Sequence, residues 1–542
     1  MRSVYEAFLD SVGAAPGNAF LAVPPAPGRR YHPDGLELSY GEAHAAVEAL
    51  KTAYGEAGYG PGHRVAVLLE NRPDHFLHSL ALNGLGVSVV PINPDYRDDE
   101  ALYLLEHSEA ALVVSVPERA DDMRRVAAGR AMPLPVVEAG AAPGILAGLL
   151  PAAATPAGRA VPDLATEASL LYTSGTTGRP KGCILTNDYH LTAGRWYAGL
   201  GGLLTIRPGE DRIYNPLPIF HMNAGVVSFV CMLLTRNCLI SPDRFHPATW
   251  WDDVAATGAT IIHYLGVVPP MLLNQPPTRA ERAHRVRVGL GAGVEPELHG
   301  AFEVRFGFPL VEVWGMTETG RIFADNHEPR QIDTRAFGRP HDDFQARVVD
   351  DSGQEAPAGE PGELLVRADA DDPRRGFFAG YLKNEAATEE AWQGGWFHTG
   401  DIVRQGADGM LYFVDRKKNI IRRSGENIAA AEIEATLQAH DAVRQVAVIA
   451  APDELREEEV MACIVPMAGE TPDAALAERL FAWCVERLAY FKTPGWILFV
   501  ETLPTTGTQK VQKTQIFPPG EDPRQRPGAL DYRDRKRRRK RA

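Results

Sequence analysis

The stretch Leu171-Tyr-Thr-Ser-Gly-Thr-Thr-Gly-Arg-Pro-Lys-Gly182 concentrates groups that bind phosphate. Its glycines, Gly175 and Gly178 among them, let the backbone approach a ligand closely and turn N–H groups toward it. Thr173, Ser174, Thr176 and Thr177 add hydroxyl donors that rotate to suit, and Lys181 adds a compact positive charge. The Gly-x4-Gly-Lys-Ser/Thr spacing of a Walker loop is absent. A plain Ser/Thr/Gly surface loop would account for any six of these residues, but less readily for all twelve. The chemistry indicated is the handling of a nucleotide's phosphates.

The elements around this stretch alternate. Tyr40 to Ala57 has apolar residues at helical spacing, Arg64 to Leu69 reads as a strand and Pro73 to Leu85 as a helix. Val87 to Ile92 is a second strand, Asp98 to His107 a helix, and Ala110 to Ser115 a third strand, with a further one at Ala259 to Tyr264. Strands alternating with helices imply an α/β fold, a mostly parallel sheet covered on both faces. After a short strand near Gly409 to Val414 comes a charged segment. It is followed by a helix (430–439), strands (443–450 and 460–466), a long helix (473–490) and a strand (497–501). The predicted division is a large domain over 1–415, a small α+β domain over 416–517 and a flexible basic tail over 518–542.

A chain of 542 residues is too long for one core. The five cysteines are scattered and odd in number, with no Cys-x-x-Cys pair, which fits a reducing cytoplasm better than a disulfide framework or a zinc site. The first residues are too short and too acidic a run for a signal peptide, and no apolar run reaches the ~20 residues of a membrane span. Net charge is −14, and residues 533–541 contribute +7 of it, so the remainder carries −21. An acidic body argues against nucleic acid as the main ligand, and the basic end reads as a solvated tail.

The 171–182 string resembles the phosphate loop of the adenylate-forming superfamily, which includes acyl-CoA synthetases, peptide-synthetase adenylation domains and luciferases. Further blocks of that family occur in order. They are Pro216-Leu-Pro-Ile-Phe-His221, Gly291-Ala-Gly293, Val313-Trp-Gly-Met-Thr-Glu-Thr-Gly320, Gly395-Trp-Phe-His-Thr-Gly-Asp-Ile402, the run from Asp415 to Ile428, and Pro504-Thr-Thr-Gly-Thr-Gln-Lys510. The similarity runs from about Leu38 to Phe517. It implies a large N-terminal domain of mixed, mostly parallel sheets packed with helices, and a small mobile C-terminal domain. It also implies an AMP-forming carboxylic acid–CoA ligase using ATP, Mg2+ and CoA. A stand-alone adenylation enzyme loading a carrier-protein phosphopantetheine is the nearest alternative. A nucleotide-binding protein that has lost catalysis is a third.

The resemblance assigns roles residue by residue. Lys181, Thr317, Glu318 and Lys510 would be catalytic, with Glu318 holding Mg2+ and Lys510 bridging the carboxylate and the adenylate. Gly291, Ala292, Gly293, Trp314 and Gly315 would line the ATP/AMP site, with Trp314 an aromatic wall for adenine or for the acyl pocket. Asp401 and Arg416 would hold the ribose. Lys418 falls at the hinge position, and Ser424, Gly425 and Glu426 at the CoA channel. The family's usual glycine before the lysine is Gln509 here; if the backbone needs positive φ there, glutamine would strain it.

The acyl pocket implied by the match comprises His221, Met222, Asn223, Gly266, Val267, Ile322 and Phe323. His221 stands where amino-acid-activating domains usually place an aspartate, which disfavours an amino-acid substrate. The wording from Phe245 to Pro277 looks most like the crotonobetaine/carnitine–CoA ligase branch. Arg321 either pairs with a second carboxylate on the substrate or faces outward. A homodimer is left open.

Overall fold

The computed structural model describes residues 2–132, 134–140, 142–173, 180–341, 343–423, 426–453, 456–505, 511–518 and 520–536, without the side chains of Lys418, Arg422, Glu426, Asn427 and Glu457. The chain forms two compact units, one of residues 1–345 and 366–397, the other of 346–365 and 398–542.

Among the described residues, two sheets lie wholly in the first unit. In one, Arg64–Leu68 lies between Ser88–Pro91 and Leu112–Ser115, all parallel, and Ser88–Pro91 in turn pairs in parallel with Glu167–Thr173. The apolar runs at these positions form buried strands because helices cover the sheet, as the alternation predicts. Tyr40–Glu56 starts at a capping box between Ser39 and Glu42, and Asp98–His107 forms as predicted. The sheet's far end turns antiparallel. Lys181–Thr186 folds back on Glu167–Thr173, and the two-residue strand Gly380–Tyr381 adds to its open edge.

The other sheet runs Ile322–Ala324, Leu310–Gly315, Val288–Ala292, Ile261–Leu265, Arg212–Tyr214, Cys238–Ile240, Ala19–Val23 and Leu36–Ser39. All pairs are parallel except the two outermost. Parallel strands bring their C-terminal ends to one edge, where ligands of α/β sheets bind.

In the second unit, His398 onward continues the strand Trp396–Gln405, which pairs antiparallel with Leu411–Arg416. A sheet follows, in which Glu457–Pro466 pairs with Val443–Asp453, with Ile420–Arg423 and, in parallel, with Trp496–Phe499. The helices Ala430–Gln438 and Ala474–Arg487 pack on it, burying Ile433, Leu437, Leu480 and Phe481 against Val448, Val460 and Ile497. The segment from 518, read from its composition as a free tail, differs over its described part. Leu530–Asp531 pairs with Trp496–Phe499, and Tyr532 is buried with its ring stacked 4.7 Å from Phe481.

Candidate active site

The hairpin Glu167–Thr173/Lys181–Thr186 sets Thr173 opposite Lys181. The strand ends that border residues 174–179 therefore face each other. Ser174, Gly175, Thr176, Thr177 and Gly178 lie outside the described residues.

Lys181 Nζ sits 4.6 Å from the centre of the Tyr381 ring. The Tyr381 hydroxyl donates to Glu318 Oε1 at 2.8 Å. Burial and the Glu318 carboxylate push the Tyr381 phenol far up, so it keeps its proton and acts as the donor. Glu318 is 6% exposed, and its own carbonyl accepts from Phe378 N–H at 2.9 Å. Its neighbour Thr317 is fixed through its carbonyl, which accepts from the Tyr189 hydroxyl at 2.6 Å. Tyr381 thus ties together a cation and a carboxylate that come from separate parts of the chain. Sequence reasoning missed it, because its role depends on the pairing of Gly380–Tyr381 with Lys181–Thr186.

The glycine block is built by close packing. Leu265 pairs with Ala292 and Tyr264 with Gly291. A Cβ on Gly266 would lie 2.0 Å from the Gly293 carbonyl oxygen, and Gly293 has φ +88°, so both positions require glycine. Glu312 holds this turn from the next strand. Its carboxylate accepts from Gly293 N–H at 2.7 Å and from the Tyr264 hydroxyl at 2.6 Å. Burial pushes Glu312 up to about 7, with the two donors opposing that shift. A charged residue inside the apolar run Leu310–Gly315 was the available signal. Trp314 is buried, its ring stacked 5.6 Å from Phe323, and Gly315 is exposed beside it.

Among the residues that the resemblance assigns to an acyl pocket, His221 is half-buried and burial holds its ring at about 4, so it is neutral at physiological pH. Met222 Sδ lies 4.0 Å from the Tyr189 hydroxyl. Asn223 opens a π-helix, Asn223–Ser228, a form that recurs at functional sites. Its Oδ1 accepts from Asn215 Nδ2 at 2.9 Å and from His263 Nδ1 at 2.8 Å, while His263 Nε2 accepts from the Tyr197 hydroxyl at 2.9 Å. This buried network fixes the Asn223 side chain. Val267 is 40% exposed. Ile322 is buried, and Phe323 is fully buried against Trp314 and Phe344, which gives it a packing role.

Arg321 does not face outward. It is 6% exposed, its guanidinium centre lies 5.7–5.8 Å from the Trp196, Phe344 and Phe377 rings, and Nη1 donates to the Arg375 carbonyl at 2.9 Å. Three aromatic faces supply the favourable contact that water would give an exposed guanidinium.

In the second unit, Asp401 and Arg416 are opposite each other in the ladder, with Arg416 Nε 2.8 Å from Asp401 Oδ1. Lys418 lies in a single 3-10 turn, Lys417–Asn419, whose Lys417 ammonium is 2.8 Å from Glu363 Oε2. Glu426 begins the strand Glu426–Ala429, directly after Ser424 and Gly425, which lie outside the described residues. Gln509 and Lys510 lie outside them too. The residues bordering that stretch are joined, Thr505 bridging to Val511 and Gln512 N–H donating to the Pro504 carbonyl at 2.8 Å.

No group of three His, Cys, Asp or Glu able to hold a metal occurs among the described residues. A single carboxylate such as Glu318 suits Mg2+, which keeps water and phosphate oxygens as its other ligands. No described helix is long and apolar enough to cross a membrane.

The pattern of the AMP-binding enzyme family matches residues 22–382, and that of the AMP-binding enzyme C-terminal domain matches 432–510. The chain belongs to this adenylate-forming family. It is 33% identical to sulfoacetate–CoA ligase of Cupriavidus necator over 493 residues, covering 89% of this chain and 92% of that one. It is 29% identical to crotonobetaine/carnitine–CoA ligase of Proteus mirabilis, covering 89% and 93%. ATP-bound MatB of Rhodopseudomonas palustris superposes with a TM-score of 0.79 at 25% identity, over 95% of this chain and 98% of that one.

Proposed function

We propose that this AMP-forming acid–CoA ligase acts on a small polar carboxylic acid that is not an amino acid. A carboxylate oxygen attacks the α-phosphorus of ATP and pyrophosphate leaves, giving an acyl-adenylate. The CoA sulfur then attacks the acyl carbon, losing its proton, and AMP leaves. The first step needs charge neutralisation and alignment more than a protein nucleophile.

The observation that carries this reading is the placement of Lys181 and Glu318 on one tyrosine, Tyr381. A triphosphate between them would meet a cation on one side and a magnesium-binding carboxylate on the other. Mg2+, when bound, would shield the phosphate charge. Asp401 and Arg416 would orient the ribose, and Lys510 would bridge the reacting oxygens. Residues 416–517 would act as the lid that turns about Lys418 and brings the Ser424–Glu426 stretch to the thioester step.

No residue assigned to the acyl pocket carries a formal charge at neutral pH, and His221 stays neutral. That supports a carboxylate recognised mainly at its reacting end. The names of the relatives support a short acid with a polar or charged head. Five cysteines, all free and buried, support a reducing, cytoplasmic setting.

The test is AMP release from ATP and Mg2+ across short, branched, aromatic, betaine-like, sulfonated and dicarboxylic acids, each with and without CoA. Turnover with one class of acid and CoA establishes the reading. Adenylation of an acid without transfer to CoA would favour a carrier-protein acceptor instead.

A further inference from the structure

We infer that Arg321 is a positioning residue for the adenylation step, acting through the segment 375–381 and its Tyr381 hydroxyl on the Glu318 carboxylate. The inference rests on the magnesium-binding role proposed for Glu318 and adds a residue to which that reading gives no part.

Arg321 follows Glu318 by three residues, and its side chain turns into the protein, where it is 6% exposed. The rings of Trp196, Phe344 and Phe377 stand 5.7–5.8 Å from its guanidinium centre, and Nη1 donates to the Arg375 carbonyl at 2.9 Å. The next residue, Gly376, has φ +71°, and a Cβ there would lie 2.6 Å from Thr192 Cγ2 and 3.0 Å from Arg321 Nη1. Backbone meets backbone beside this contact. A Cβ on Gly320 would lie 2.5 Å from the Gly376 carbonyl oxygen, and Phe378 N–H donates to the Glu318 carbonyl at 2.9 Å. Three residues further on, the Tyr381 hydroxyl donates to Glu318 Oε1 at 2.8 Å. Segments 318–321 and 375–381 are thus joined at both ends, by the Arg321 guanidinium at one and by the Glu318 carboxylate at the other.

The far end alone holds the tyrosine weakly. Gly380–Tyr381 is a strand of two residues, paired only at Ile184 and Cys183, and so short a strand gives little register of its own. The anchor at Arg375 therefore helps to set where the Tyr381 hydroxyl falls. This anchor is costly. Burial lowers the Arg321 guanidinium from its usual value, with Asp343 and Asp188 opposing, and the buried Nε makes no hydrogen bond among the described residues. The aromatic rings offset part of that cost. A methionine would fill the same cage with sulfur–aromatic contacts and no buried charge. What the guanidinium adds beyond packing is its bond to the Arg375 carbonyl.

The experiment uses the full chain and follows ATP–pyrophosphate exchange titrated with Mg2+, with acetate, crotonobetaine, sulfoacetate and the wider panel as probe acids. Arg321→Met should lower exchange by about three- to tenfold and raise the Mg2+ needed for half-maximal rate by about threefold or more, as for a lost hydrogen bond acting on a charged group. A side chain that only packs would leave the Mg2+ midpoint where it is. Arg321→Lys, which keeps the charge and a donor, should recover part of the loss. In Arg321→Met/Tyr381→Phe the Mg2+ midpoint should be no higher than in Tyr381→Phe alone, because both changes act through one hydroxyl. If the methionine variant does not fold, Arg321→Lys is compared in the same way, alone and with Tyr381→Phe, and should show a smaller shift of the same sense. An unshifted midpoint in the Arg321 variant that folds, or shifts that add in the double variant, overturns the inference and leaves the ligase reading standing. An unshifted midpoint in Glu318→Gln removes the Glu318 assignment and the inference with it. Wild-type protein that exchanges pyrophosphate with no acid of the panel overturns the ligase reading itself, before any variant is made.

Discussion

Asp401 and Arg416 occupy facing positions in one antiparallel ladder, and Arg416 Nε lies 2.8 Å from Asp401 Oδ1. Asp401 is 1% exposed. A carboxylate this buried keeps its charge only with a partner, and the guanidinium supplies one. With two acceptor oxygens, Asp401 also suits the two neighbouring hydroxyls of a ribose. Asp401→Ala should raise the KM for ATP by about tenfold to a hundredfold, the worth of one or two charge-assisted hydrogen bonds, with the KM for the acid little changed. Steady-state kinetics with ATP varied at saturating acid, and the reverse, checks this. An unchanged KM for ATP removes the ribose assignment.

Tyr381 leads to a prediction about magnesium. Its hydroxyl is the donor to Glu318 Oε1, while Lys181 lies against its ring. Tyr381→Phe keeps the ring, and so the lysine contact, but removes the hydroxyl's hydrogen bond to Glu318. Adenylation should fall by about three- to tenfold and require more Mg2+, as expected for a lost hydrogen bond to a charged group. Pyrophosphate exchange titrated with Mg2+ is the measurement. An unshifted Mg2+ curve would mean that the hydroxyl does not orient Glu318.

Much of this architecture is legible in the sequence because its strands are buried on both faces and read as unbroken apolar runs, as at Arg64–Leu68 and Leu112–Ser115. The capping pair Ser39/Glu42 fixes a helix start for a local reason. What is not legible depends on contacts between distant residues. The composition of 518–542 suggests a flexible tail, but within its described part Tyr532 finds a stacking partner, Phe481, some fifty residues away. Arg321 reads as either a substrate-pairing or an outward-facing residue until Trp196, Phe344 and Phe377 are seen to enclose it. The motif positions themselves are visible in the sequence, whereas of the residues that hold them Tyr381 is not, and Glu312 shows only as a charge inside an apolar run.

Lys510 and Lys418 should separate the two half-reactions. Lys510→Ala should depress adenylation by about 10²-fold, the usual effect of removing a charge that stabilises a transition state, and leave CoA transfer from a supplied acyl-adenylate largely intact. Lys418→Pro should do the reverse by stiffening the turn Lys417–Asn419. Single-turnover assays of each step decide the matter. Equal losses in both steps would refute the Lys510 assignment, and unimpaired CoA transfer in the proline variant would refute the hinge.

Glu312 carries a pH signature. Burial raises its carboxyl from 4.5 to about 7, so folding favours the protonated form. The stability gained from that form is complete below about 4.5 and is lost as pH rises through 7. Glu312→Gln cannot ionise and lacks this loss. Whatever the variant's constant offset, its Tm relative to wild type should climb between pH 5 and pH 8, by about 2 °C or more. Tyr264 and His299 both pull the Glu312 value down against the effect of burial. Thermal melts of the two proteins at pH 5, 6, 7 and 8 provide the test. A Tm difference that stays flat across this range would show that the carboxylate clamping Gly293 is already ionised at pH 5, held so by its donors despite its burial.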